Sequence, residues 1–290
     1  MVKRKERKDP EELGDAPPAN NNGADDDGSS DEDMDIVDVD FEWFDPQPEV
    51  DFHGLKTLLR QLLDADNQLF NLSELADLIL SQPLLGSTVK VDGNESDPYA
   101  FLTVLNMHEH REKPIIASLT SYLNRRALTT PSLTPLTTLP PASQIGLILT
   151  ERFINMPTET IPPMYTMLLE EMQWALQENE PYAFSHYLIL SKTYAEIESK
   201  LDAQENRPKK KGKKEAASTD TFYFHPEDEV LHKHALAHGN FEYETQGDEG
   251  AADAKRAFQE AGIKPQGHLI LIEASKFEGA VNAMKEYVGG

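Results

Sequence analysis

The chain has 290 residues, with 51 Asp and Glu against 27 Lys and Arg, a formal net charge of −24, and no cysteine. Such a balance repels nucleic acid and anionic membrane and draws basic partners in a salt-sensitive way. The absence of cysteine excludes disulfides, thiol nucleophiles and Cys-ligated zinc, and it suits a reducing compartment.

Residues 1–35 open with Lys3, Arg4, Lys5, Arg7 and Lys8, then pass through Asn, Gly and Pro into Asp25, Asp26, Asp27, Asp31, Glu32, Asp33 and Asp35. With almost nothing apolar to bury, this stretch does not offset its ordering entropy and is expected to be a disordered, basic-then-acidic arm. The basic cluster leads into no apolar run, so no signal peptide is expected. The apolar runs further on are strand-sized, short of the roughly 20 residues of a membrane span. The expectation is a soluble, intracellular protein.

The next stretch, residues 36–46, alternates. Val37, Val39, Phe41 and Trp43 fall on one face of a strand, and Asp38, Asp40 and Glu42 on the other. Like charges on one face repel, so the carboxylates add no stability. They read either as a solvated outer face or as a landing site for a basic partner; of the residues in the chain, Asp38, Asp40 and Glu42 are the candidate partner-binding set.

Asp51 is placed to cap a helix with the stripe Phe52, Leu55, Leu58, Leu59, Leu62 and Leu63. Asn71 with Glu74 marks the start of a second helix, stopped before Pro83. Strands are expected over 86–91 and 99–105, the latter apolar enough to be covered on both faces. Pro114 opens a helix to Arg126, and 129–143 reads as an irregular connection. A buried strand follows at 145–149, then a helix from Pro162 with the stripe Tyr165, Leu168, Leu169, Met172 and Leu176. Glu170 and Glu171, adjacent on that helix, read as solvated. A further strand is expected over 182–190.

Residues 196–218 break the pattern and read as a mobile loop. Within them Lys209, Lys210, Lys211, Lys213 and Lys214 fit a nuclear import signal better than a nucleic-acid patch, since no aromatic residues are interleaved for base stacking. A merely solvated loop is the competing reading. After a strand at 222–224 come a helix over about 226–238, a strand at 241–243, a Gly- and Asp-rich turn at 247–250, a helix ending near Gly262, a strand at 269–272 and a closing helix. The interleaving predicts one α/β domain over 36–290, a central mixed sheet flanked by helices on both sides.

Tests for chemistry are negative. The sequence contains no Gly-x-Gly, Gly-x-x-x-x-Gly-Lys, Gly-x-Ser-x-Gly or His-Glu-x-x-His, so no catalytic residues and no cofactor are assigned. His234 and His238 stand four apart on the expected helix, with His232 and Glu229 nearby. A metal site needs a third ligand on another element and a supporting shell. The sequence points to neither, so no metal is expected.

Several segments together resemble one family. Val-Asp-Val-Asp-Phe-Glu (37–42), Gly-Leu-Lys-Thr-Leu-Leu-Arg-Gln-Leu-Leu (54–63), Gly-Ser-Thr-Val-Lys (86–90), Gly-Leu-Ile-Leu-Thr-Glu-Arg-Phe-Ile-Asn-Met-Pro (146–157), Pro-Met-Tyr (163–165) and Tyr-Leu-Ile-Leu-Ser-Lys-Thr (187–193) are similar to the BCCIP/Bcp family of eukaryotic nuclear proteins. The segment 226–236 departs from the family's more aromatic version. The resemblance implies a fold like that of the GNAT-type acetyltransferases without known enzymatic activity. It implies a dedicated chaperone and escort for a basic large-subunit ribosomal protein, supporting 60S ribosome biogenesis. It further implies nuclear transport receptors and a lipid kinase as partners, and a nuclear location with shuttling to the cytoplasm. The animal branch implies the alternative of a DNA-repair and cell-cycle scaffold. A GNAT-like acyltransferase is the weaker alternative, because the Gln/Arg-x-x-Gly-x-Gly/Ala cofactor loop is missing.

Overall fold

A computed structural model describes residues 39–82, 85–196, 221–245 and 263–289. Eight strands form one sheet: β1 (Glu42–Phe44), β2 (Ser87–Lys90), β3 (Ala100–Asn106), β4 (Ile145–Arg152), β5 (His186–Glu196), β6 (Thr221–Tyr223), β7 (Ala237–Phe241) and β8 (Ile263–Glu273). Their spatial order is β1-β2-β3-β4-β5-β8-β7, with β6 pairing β5 as well. The β4–β5 pair is parallel and the other pairs are antiparallel. A helix accounts for the parallel pair, because a chain returning to the same end of a sheet needs a long crossover. That crossover is α5 (Ile161–Gln177).

Side-chain alternation on the central strands divides the core in two. Phe101, Leu105, Leu147, Leu149, Leu188, Leu190, Leu269 and Leu271 meet α1 (Pro48–Leu63), α2 (Leu72–Leu80), α3 (Pro114–Thr129) and the short α4 (Thr134–Thr137). Leu102, Val104, Ile148, Ile189, Ile270 and Ile272 meet α5, α6 (Asp228–His232) and α7 (Ala274–Gly289). The α/β class with helices on both faces of a mixed sheet therefore holds. α1 buries Leu55, Leu58, Leu59, Leu62 and Leu63, each contributing about 1.5–3 kcal/mol. α2 is capped as its sequence predicts, Asn71 Oδ1 accepting from the backbone N–H of Glu74 at 3.3 Å.

Several expectations need correction. The strand expected from Val37 begins at Glu42, and Asp40 precedes it. Val39 and Trp43 are 43% and 37% exposed instead of buried, while Phe41 packs edge-on against Tyr99. The reason is position: among the described residues β1 ends the sheet and has a neighbour on one side only. Asp51 is not a cap. α1 starts at Pro48, and Asp51 lies a turn inside it, buried, accepting from Gln47 N at 2.7 Å and paired with the buried Lys90 at 2.7 Å.

The strand expected at 182–190 runs instead from His186 to Glu196, and that expected at 145–149 continues to Arg152. The connection 129–143 holds a 3₁₀ turn and α4. In α5, Leu176 is exposed, whereas Glu171 is buried and accepts from Gly86 N at 2.8 Å. The helix expected over 226–238 stops at His232, and His238 belongs to β7. Hence β7 covers 237–241 in place of the expected 241–243. The arm to Asp38, the lysine loop, and the turn and helix expected over 247–262 lie outside the described residues.

Candidate functional site

β4 and β5 exchange backbone pairing from Ile145–His186 to Leu149–Leu190 and then part. Beyond that point β4 remains paired to β3, while Thr193–Ala195 of β5 pair with β6. The register carries Glu151 and Lys192 two residues past the Leu149–Leu190 pair, on the face of α1. There Lys192 Nζ lies 2.5 Å from Glu151 Oε2 and donates to Gln61 O of α1 at 3.1 Å. On the opposite face Arg152 makes a two-pronged pair with Glu227, and Ser191 Oγ donates to Asp228 Oδ2 at 2.6 Å. His225 links the two faces through the split: its Nε2 is 3.3 Å from Glu151 Oε1, and its Nδ1 is 3.9 Å from Glu227 Oε1. All these side chains are buried.

The charges constrain one another. Burial raises the Glu151 pKa, but His225 and then Lys192 outweigh it and hold the carboxyl at about 2. Burial lowers His225, yet Glu151 and Glu227 raise it above the ordinary imidazole range. Burial also pushes Asp228 up to about 7. A carboxylate, an imidazole and a second carboxylate in line form acid–base chemistry in principle. The crevice at the carboxyl ends of parallel strands is also where open α/β sheets take ligands. Here that position is filled by β6, which takes the place β4 vacates beside β5, and by the buried His225 that follows it. The arrangement is a charged plug, tied on both faces of the sheet.

The sequence-derived partner set sits at the far edge. Asp40 and Glu42 are exposed on or beside β1; Asp38 lies outside the described residues. Beside them the Trp43 indole N–H donates to Thr160 O at 3.1 Å, leaving the ring half-exposed. Next to Thr160 a groove of about 380 Å³ is lined by Pro162, Pro163, Met167, Lys285 and Val288. Lys209, Lys210, Lys211, Lys213 and Lys214 lie outside the described residues.

The BCCIP family model matches residues 36–231. The chain belongs to the BCCIP family. Among its relatives, Protein bcp1 of Aspergillus fumigatus is 64% identical over 265 residues, covering 90% of this chain and 91% of that one. Protein bcp1 of Schizosaccharomyces pombe is 53% identical over 261 residues, with 88% and 91% covered. The crystal structure of BCP1 from Saccharomyces cerevisiae superposes with a TM-score of 0.62 at 26% identity, covering 92% of this chain and 96% of that one.

The stretch matched by the BCCIP model runs from the acidic edge through Glu151, Lys192, His225 and Asp228. Sequence reasoning missed the plug of this BCCIP member, although a signal existed. Leu147-Leu149-Glu151 and Leu188-Leu190-Lys192 continue two buried alternations into opposite charges at matching positions. Glu171 was legible in the same way, three residues after the buried Leu168 and four before the buried Ala175. The histidines regroup too. His234 and His238 do not share a helix face; His238 meets His232 and His268 instead.

Proposed function

We propose that this BCCIP-family chain is a non-enzymatic chaperone and nuclear escort that captures a basic protein of the large ribosomal subunit. The observation that carries the reading is the net charge of −24, joined to an exposed acidic edge at Asp40 and Glu42. Trp43 and the groove by Met167 add apolar surface beside that charge. An aromatic face takes Lys or Arg by cation–π contact, and negative potential steers a basic client while keeping RNA away. Lys209–Lys214 supply the import signal, nuclear transport receptors the route, and a lipid kinase a further cargo. The location is nuclear, with shuttling.

A central parallel pair in an otherwise antiparallel sheet supports the GNAT-like reading of the frame. The plug of Glu151, Lys192 and His225 supports a silent frame over an acyltransferase: it fills the position between β4 and β5 and leaves each charge already paired. No observation favours a repair or cell-cycle scaffold.

Capture of newly made ribosomal proteins by the full chain tests the reading. Enrichment of a basic large-subunit protein at low salt is expected, weakening as salt rises and falling further in Asp40→Lys/Glu42→Lys. Failure to enrich any basic ribosomal protein at low salt overturns it.

A further inference from the structure

Three imidazoles from three elements converge near the β7 edge of the sheet. His232 ends α6, His238 lies on β7 and His268 on β8. One ring nitrogen from each falls within 4.8 Å of the others. His232 Nε2 and His268 Nε2 are 2.7 Å apart, and the His232 and His238 rings stack with centroids at 3.8 Å and planes at 8°. His238 is exposed and His268 buried, so the cluster has a protein wall on one side and an entrance on the other.

The geometry points to a divalent transition-metal site, Zn²⁺ foremost, formed by His232, His238 and His268 with a further position open to water. Nitrogen-only ligation selects zinc and its first-row neighbours over magnesium and calcium, which require oxygen. Ligands about 2.0–2.1 Å from a tetrahedral zinc stand about 3.3 Å from one another. The present spacings bracket that figure, from 2.7 Å between His232 Nε2 and His268 Nε2 to a limit of 4.8 Å across the set, and the stacked His232 and His238 rings have to turn out of parallel to face one ion.

The supporting shell is present as well. His268 Nδ1–H donates to Asn240 Oδ1 at 2.5 Å, which leaves the Nε2 lone pair toward His232 Nε2. Asn240 is itself oriented, its Nδ2 donating to Thr221 Oγ1 at 3.4 Å. A second-nitrogen hydrogen bond to a carbonyl is the usual means of fixing a metal-binding imidazole. His232, His238 and His268 all lie beyond residue 231, where the family match ends.

A bound ion would tie the end of α6 to the β7–β8 pair. The test is calorimetry of ZnCl₂ into the full, chelator-stripped chain at neutral pH, together with melting curves and the d–d absorption of the Co²⁺-loaded form. One equivalent is expected to bind, with a melting temperature raised by several degrees and a Co²⁺ spectrum of low coordination number. His238→Ala should abolish binding while the metal-free chain still melts in one cooperative transition. Asn240→Ala should weaken binding by about 10–100-fold. His234→Ala and His53→Ala should bind as the parent does. Absence of stoichiometric binding, or binding unchanged in His238→Ala, overturns the site and leaves a hydrogen-bonded imidazole cluster.

Discussion

Lys192 Nζ lies 2.5 Å from Glu151 Oε2, both side chains buried, at the point where two parallel strands stop pairing with each other. The ion pair continues the β4–β5 register in side chains after the backbone has ceased to do so. Such a pair is a weak source of net stability, because desolvating two charges offsets their attraction, yet removing one partner leaves the other stranded.

Lys192→Met is therefore expected to lower the unfolding free energy by about 3–5 kcal/mol. Glu151→Leu/Lys192→Met should cost less than the sum of the two single changes. Urea titrations of the three variants measure the coupling. A cost below about 1 kcal/mol for Lys192→Met would show that water reaches the pair.

Glu171 gives a pH dependence of opposite sign to that of most carboxylates. Burial, with Asp45 and Glu170 adding to it, raises its pKa from 4.5 to about 7, against the lowering by the Gly86 N–H. Below pH 4.5 both the folded and unfolded states hold the proton, and the group is neutral to stability. As pH rises from 4.5 to about 7 the unfolded state ionises first, so the fold loses stability across that window and the penalty then stays constant. Glu171→Gln keeps an acceptor for Gly86 and removes the charge. It should match the parent near pH 4 and exceed it by about 1–3 kcal/mol at pH 8. Parallel pH profiles of the two proteins would refute the buried, raised carboxyl.

Trp43 separates edge from core. Were the indole fully buried, Trp43→Ala would cost about 3–5 kcal/mol. With the ring 37% exposed and a single hydrogen bond to Thr160, the expected cost is about 1–2 kcal/mol. The same substitution should reduce client capture more than it reduces stability. Denaturant titration and capture run side by side distinguish the two. A stability loss above about 3 kcal/mol would return the ring to a structural role.

Elements that announce themselves by local pattern are legible in the chain itself. The Leu55–Leu63 stripe of α1, the Asn71 cap of α2, the Pro114 start of α3 and the doubly covered β3 each depend on residues within a few positions of one another. Strand limits are not legible in this way. β5 extends to Glu196 because β8 pairs with it along its whole length. The helix expected to reach His238 stops at His232, because Ala237–Phe241 pair with β8 instead.

By itself the sequence determined the α/β class, the two helical layers, the acidic excess and the family, since periodicity and composition state which way side chains face and what they carry. Only the tertiary structure decided that Glu151, Lys192 and His225 close a split sheet, that the distant His268 joins His232 and His238 at one corner, and that Trp43 stands at a rim. Those outcomes depend on which strand lies beside which. Burial and charge pairing are properties of neighbours, and the neighbours lie far apart along the chain, 117 residues in the case of Trp43 and Thr160.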